Sequence, residues 1–359
     1  MTDAGAQGDA VPFTTRGFEL HHWQRQAVEA WVDGDAGGPF RGTFEIFTGG
    51  GKTLIALACA ERAARHTGGI RLAIVVPTEA LAHQWIQEVL DRTSVGRGDV
   101  GLLGAGGRDD LRDKRVLVAV LNTASRRLPA MAQAGGDHLM LVVDECHRAG
   151  APTFSSVLGT RATFRLGLSA TPDREELDDE GEPLAYDEQL VGKSLGEVVF
   201  RFGLREARQA GWLPEFTVQH HGVRLLPDER AEYDRVSREI DELGDRLQEL
   251  GGEPSRARSF TAREGDLGRA AGAYVAATSK RKDLLYRASE RGRVAVRLLH
   301  DVLGRRPGAR VLMFHERIGE AQELHDQLRD LASVGIEHSR LSDSVRRSTL
   351  DQFRTGSLD

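Results

Sequence analysis

From Phe44 to Ala58 an apolar run, a glycine turn and a helical run follow one another directly, and few folds accept that order. Phe44-Glu45-Ile46-Phe47 reads as a buried strand, Thr48-Gly49-Gly50-Gly51-Lys52-Thr53 as a turn, and Leu54-Ile55-Ala56-Leu57-Ala58 as the start of a helix. The glycines let backbone N–H groups converge on an anion, and the helix N-terminus adds a favourable dipole. Lys52 is then placed to reach the β- and γ-phosphates of a nucleotide, and the Thr53 hydroxyl to ligate Mg²⁺. Ile46 stands where the general phosphate-loop pattern has its first glycine.

Further along, Leu139-Met140-Leu141-Val142-Val143 is an unbroken apolar run suited to a buried parallel strand. It delivers Asp144 and Glu145 to the carboxyl end of the sheet, where ligands of open α/β folds sit. Asp144 is placed to hold Mg²⁺, mainly through its water shell. Glu145 is placed to orient and deprotonate an attacking water. Phosphate turn and acidic strand end together spell a nucleotide triphosphatase that uses Mg²⁺. Cys146 has no independent base in view and reads as a passive neighbour.

The alternation of patterns supports a doubly wound parallel sheet. Strands are expected at Phe44–Phe47, Leu72–Val76, Val116–Val120, Leu139–Val143 and Phe164–Leu168, with helices at Leu54–Arg65 and Ala80–Leu90. A chain of 359 residues exceeds one comfortable core, so two domains are expected. The expected fold class is α/β: a parallel sheet with helices on both faces, a helical insertion and a second α/β domain that begins but does not finish. The expected boundaries are a flexible lead over 1–17, the ATP-binding domain over 18–226, a charged helical arm over 227–292 and the partial second domain over 293–359. Within them, 173–182 reads as an acidic flexible loop, Val198–Leu213 as an amphipathic helix, and Thr217–Leu225 and Val311–Phe314 as strands. Val294–Leu303 and Ala321–Leu331 read as helices.

Net charge is −6, but phosphate contacts need only a local groove, so nucleic acid stays open. Cys59 and Cys146 make no disulfide framework, no stretch is long enough to span a bilayer, and Met1–Ala10 lacks a signal pattern. A cytoplasmic protein with no membrane partner is expected. His21-His22 and His220-His221 lack partners at metal-ligand spacing and read as surface residues. The basic run Lys280-Arg281-Lys282 with Arg287, Arg291, Arg293 and Arg297 reads as a solvated face before it reads as a groove.

Val75-Val76-Pro77-Thr78 ends one strand and opens a helix, and Ser169-Ala170-Thr171-Pro172 closes another. Taken in order, these segments resemble a superfamily 2 DEAD/DEAH-box helicase. Leu20-His21-His22-Trp23-Gln24 looks like the adenine-reading glutamine element, with His21 where an arginine is usual. Thr48–Thr53 looks like motif I, Pro77-Thr78 like motif Ia, Asp144–His147 like motif II and Ser169–Pro172 like motif III. The closer similarity is to the branch of the xeroderma pigmentosum group B-like enzymes and type III restriction helicase subunits. Asp144-Glu145-Cys146-His147-Arg148, Leu166–Glu175 and Leu204-Arg205-Glu206-Ala207 before Gly211-Trp212-Leu213 carry it.

The resemblance implies two RecA-like P-loop domains, the second incomplete, and an ATP-driven motor on nucleic acid, DNA before RNA, that unwinds or translocates. By motif position Gln24 would read adenine, with Thr48, Gly49, Gly50, Gly51, Lys52 and Thr53 around the phosphates. His147, Ser169 and Thr171 would couple the nucleotide to the strand. Pro77, Thr78 and Thr123 would contact the strand backbone, as would His315, where motif IV begins. The motif Ib position has Val120 and Asn122 where a threonine and a glutamine are common. Arg346-Arg347, Leu350, Phe353-Arg354 and Gly356 look like the helix before motif V, and motifs V and VI do not follow before Asp359. A fragment that binds ATP-Mg and turns over poorly alone is therefore expected. Two other readings stay open: the motor subunit of a restriction or phage-defence assembly whose nuclease is on another chain, and a non-catalytic ATP-binding remnant.

Overall fold

Parallel pairing of the apolar runs organises the first half of the molecule. The computed structural model describes residues 13–134, 138–174, 176 and 183–359. Among these residues, β1 (Arg41–Ile46), β2 (Arg71–Val76), β3 (Val100–Gly104), β4 (Gly107–Arg108), β5 (Val116–Val120), β6 (Leu139–Asp144), β7 (Phe164–Ser169) and β8 (Val198–Phe202) form one sheet. Its strand order is β4-β3-β5-β2-β6-β7-β1-β8. Every pairing is parallel except that of the short β4 with β3.

Successive residues of a strand point to opposite faces, and both faces are buried here. On one face Leu72, Ile74, Val76, Met140 and Val142 join Phe44 and Ile46 in a core with Trp31, Leu57 and Trp85. These last three come from α1 (His22–Asp33), α2 (Lys52–Thr67) and α3 (Glu79–Arg92). On the other face Ala73, Val75, Leu139, Leu141 and Val143 pack with Leu128 of α4 (Leu121–Ala134) and with Val191 and Leu195 of α5 (Leu190–Leu195). Each such aliphatic side chain contributes about 1.5–3 kcal/mol when fully buried.

Several expectations need correction. Residues 13–17 are not a free lead: Phe13 is buried, Thr14 N–H donates to Ser94 Oγ at 3.0 Å, and Arg16 N–H donates to Arg92 O at 2.8 Å. Residues 1–12 of that lead, and most of the expected acidic loop over 173–182, lie outside the described residues. Val198–Leu213 is not one helix. Its β-branched and aromatic start forms β8 beside β1, and only α6 (Leu204–Gln209) is helical. Phe200 and Phe202 of β8 flank Trp23, with Phe202 stacked at 4.2 Å between centroids.

The second unit, from Thr217 onward, is helical where it is regular. It contains α7 (Pro227–Glu249), α8 (Ala257–Phe260), α9 (Asp266–Tyr286), α10 (Ser289–Arg305), α11 (Ile318–Leu328) and α12 (Asp343–Thr355). Val236 and Ile240 of α7 bury against Ala277 of α9, while Leu247 and Ala271 close around Phe260. Helix α10 runs through the expected boundary at 292/293. Thr217–Leu225 and Val311–Phe314 do not form strands among the described residues. Val218 and Phe314 are 68% and 90% exposed. A strand needs a neighbour to satisfy its N–H and C=O groups, and the bond from Val311 N–H to Asp359 O is too little to make a ladder.

Candidate nucleotide site

Strands β1, β6 and β7 bring three motifs to one edge of the sheet. Glu45 lies opposite Ser169 and Asp144 opposite Leu168, so the turn after β1, the acidic end of β6 and the hydroxyl end of β7 emerge level with one another. β7 lies between the other two.

The turn after β1 requires its glycines. Gly49 and Gly51 have φ of 93° and 76°, in the left-handed region that side chains disfavour. A Cβ on Gly50 would come within 2.6 Å of Ile46 Cγ2. Gly51 caps α2, whose first helical residues are Lys52 and Thr53. The loop is thus a tight glycine turn at a helix start, with Gly50 N–H donating to Phe47 O at 3.1 Å, and a helix start of this kind fits an anion such as a polyphosphate. Lys52 Nζ donates to Ile46 O at 3.1 Å, folding the ammonium back over the loop.

Gln24 ties the start of α1 to this loop. Its Oε1 accepts from His21 N–H at 2.9 Å and its Nε2 donates to Gly50 O at 3.0 Å. The side chain is buried at 5% exposure, and the His21 ring lies 4.2 Å from the Trp212 ring.

Asp144 closes β6 with both carboxylate oxygens engaged. Oδ1 accepts the Glu145 N–H at 3.0 Å, and Oδ2 accepts Trp85 Nε1–H at 2.9 Å. Burial raises its pKa, while the Trp85 bond and the Lys52 charge pull it down. Glu145 takes a left-handed conformation, φ 48° and ψ 50°, which for a non-glycine residue costs of order 1–3 kcal/mol. The turn swings its carboxylate toward His147, with Oε2 3.6 Å from Nδ1.

His147 Nδ1 lies 3.0 Å from Ser169 Oγ, which also accepts the Thr171 N–H at 3.0 Å. Burial holds the His147 pKa below the ordinary imidazole value, against the opposing pull of Glu145. The acidic turn and the end of β7 are thus one network. Sequence reasoning gave no role to two residues that brace it. Arg174 Nη1 donates to His147 O, and the fully buried Gln189 accepts from Arg174 N–H at 3.2 Å and donates to Asp173 Oδ1 at 2.7 Å. Arg174 was visible only as part of a family-like string, and Gln189 gave no signal.

Three of the strand-contact candidates, Pro77, Thr78 and Thr123, follow strands β2 and β5 at the same edge of the sheet. Thr78 is exposed after β2, and its Oγ1 caps α3 by accepting the Leu81 N–H at 3.3 Å. Pro77 and Thr123 are half-buried, Thr123 in the first turn of α4 after β5. His315 belongs to the second unit, where its Nδ1 accepts the Arg317 N–H at 3.1 Å. In that unit the basic run is answered by acids: Lys280 by Glu232 at 3.2 Å, Lys282 by Glu316 at 3.4 Å, Arg287 by Glu320 at 2.9 Å and Arg293 by Glu290 at 2.6 Å.

Cys146 is fully buried and its thiol is pushed up to about 12 by desolvation. Cys59 is equally buried and likewise raised. Neither forms thiolate near neutrality. At pH 8 the folded chain should therefore leave both thiols unlabelled by a disulfide reagent, and both should react once it is unfolded. Stoichiometric labelling of either in the folded chain would contradict this packing.

Residues 17–174 match the family described as type III restriction enzyme, res subunit. The chain is 28% identical over 250 residues to the DNA 3'-5' translocase XPB2 of Sulfurisphaera tokodaii, covering 67% of this chain and 50% of that protein. It is 30% identical over 238 residues to a putative DNA 3'-5' helicase Rad25 of Haloarcula marismortui, covering 64% and 33%. It is 26% identical over 234 residues to the DNA 3'-5' helicase XPB of Mycobacterium tuberculosis, covering 63% and 38%. The chain thus spans half or less of the length of these relatives.

Proposed function

The chain belongs, over residues 17–174, to the superfamily 2 helicases of the branch that holds the xeroderma pigmentosum group B-like enzymes and the type III restriction subunits, and on that premise we propose that it is the ATP-hydrolysing part of a motor on DNA. The observation that carries the reading is the shared sheet edge, where the lysine-tipped loop after β1 and the carboxylates after β6 emerge on either side of β7. ATP and Mg²⁺ are its cofactors in this reading. Relatives named as DNA translocase and DNA helicases favour DNA over RNA.

The proposed division of labour follows the geometry. The Gly49–Gly51 loop and Lys52 would hold the β- and γ-phosphates, and Gln24, whose amide donates to Gly50 O, would read adenine. Thr53 and Asp144 would hold a magnesium ion, which when bound would neutralise charge on the phosphate oxygens. Glu145 takes a proton from water as its oxygen attacks the γ-phosphorus and the bond to the β–γ bridging oxygen breaks. His147, Ser169 and Thr171 form the connection from that turn to β7. In this reading Pro77, Thr78 and Thr123 meet the strand backbone, and His315 is a separate candidate contact.

Lys52→Ala tests this directly. Loss of one hydrogen bond to a charged group corresponds to about ten- to hundredfold weaker Mg-nucleotide binding. In a version extended through motifs V and VI, duplex DNA should stimulate ATP turnover, and Lys52→Ala should abolish that stimulation. Equal turnover with and without DNA or RNA would end the motor reading. The match to a family described as a restriction subunit supports a second assignment, as the motor of a restriction or phage-defence complex with its nuclease elsewhere. No described helix is long and apolar enough to cross a membrane, and a cytoplasmic setting is part of the same proposal.

A further inference from the structure

Trp85 lies on the apolar stripe of α3 with Ala82 and Val89, and at 2% exposure its volume belongs to the core. Its one polar atom does not. A buried indole N–H needs an acceptor, and here it is Asp144 Oδ2 at 2.9 Å. The other described tryptophans with buried rings differ: Trp31 donates to the backbone oxygen of Arg165, and Trp23 Nε1 has no partner. Because Oδ1 is held by the Glu145 N–H, the indole is the contact that stops the carboxylate from turning about its own Cβ–Cγ bond.

We propose that Trp85 is a positioning residue for magnesium: its indole N–H fixes the Asp144 carboxylate at the angle that the metal and its water shell require, and ties that angle to helix α3. The inference rests on Asp144 being the magnesium carboxylate. Ligand orientation by an outer hydrogen-bond partner commonly changes metal affinity by ten- to a hundredfold. Helix α3 packs into the core beside Leu72, Ile74 and Val76 of β2 through Ala82, Trp85 and Val89, and it starts at the exposed cap Thr78. The same helix therefore carries a surface residue at the sheet edge and the donor that aims the metal-binding oxygen.

The test replaces Trp85 in the full chain by β-(3-benzothienyl)alanine, which keeps the bicyclic shape and puts sulfur where the N–H stood. 5-Fluorotryptophan at the same position keeps the N–H and serves as the conservative variant. Binding of a fluorescent ATP analogue is followed across a Mg²⁺ titration and in EDTA, with a thermal melt for each protein. Expected is a rise of about tenfold in the Mg²⁺ needed for half-saturation, with binding in EDTA unchanged and the fluorotryptophan protein matching the unaltered one. Half-saturation within twofold of the unaltered chain overturns the proposal. So does an equal loss with and without Mg²⁺, which would make Trp85 a packing residue only. If the unaltered chain shows no Mg²⁺-dependent binding and Lys52→Ala changes nothing, the ATP-site reading itself has failed, a result separable from either of the others.

Discussion

Glu145→Gln should lower ATP turnover by about 10²–10⁴-fold, the usual share of a positioned general base, while leaving nucleotide affinity within a few-fold. The substitution preserves size and hydrogen-bonding reach, so the strained turn at φ 48° and the approach to His147 can persist. What disappears is the ability to accept a proton from the attacking water. Asp144 keeps its two hydrogen bonds, from Trp85 and from the backbone of position 145, so the metal side of the site is untouched. Single-turnover hydrolysis with saturating ATP-Mg and duplex DNA measures the first quantity, and fluorescent-nucleotide titration the second. Turnover within tenfold of the unaltered chain would remove Glu145 from the role of base. A parallel collapse of affinity would make it a structural residue of the turn.

Trp31→Ala should destabilise the first unit by about 3–5 kcal/mol, the range for removing a large aromatic from a close-packed core. Trp31 is fully buried, meets Phe40 edge-on at 5.4 Å between centroids, and donates Nε1–H to Arg165 O at 2.8 Å. That bond holds α1 against the start of β7. Its loss leaves a cavity and a carbonyl without its donor. Trp31→Phe separates the two contributions, keeping much of the burial and forfeiting the bond at about 1–3 kcal/mol. Because α1 also carries Gln24, whose amide holds Gly50 O, nucleotide affinity should fall with stability in Trp31→Ala. Urea unfolding followed by far-ultraviolet circular dichroism reads the first effect. A midpoint change equivalent to less than about 1 kcal/mol would mean that α1 does not anchor the sheet in this way.

The chemistry was legible where it is contiguous in the chain. Lys52 and Thr53 follow their glycines directly, and Asp144 and Glu145 follow an apolar run whose burial on both faces makes it recognisable. β2, β5, β6 and β7 were readable for the same reason. β3 was missed because Val100-Gly101-Leu102-Leu103-Gly104 carries two glycines and little length. β8 was misread as helix because its apolar residues fit either period over so short a run, and only the open flank of β1 decides for strand. At Val311–Phe314 the error runs the other way: composition favours a strand, but pairing is a property of a neighbour.

Local order therefore determined that this chain builds a glycine turn ending in Lys52-Thr53, an acidic strand end at Asp144-Glu145 and a parallel sheet to hold them, since backbone freedom at glycine, strand burial and helix starts are all set within a few residues. Tertiary structure alone decided which polar atoms meet: Gln24 with Gly50, Trp85 with Asp144, His147 with Ser169, Arg174 with His147. Periodicity tells which side of a helix faces inward. It says nothing about the acceptor waiting there, because that atom belongs to a residue far away in sequence and reaches its place only when the sheet has closed.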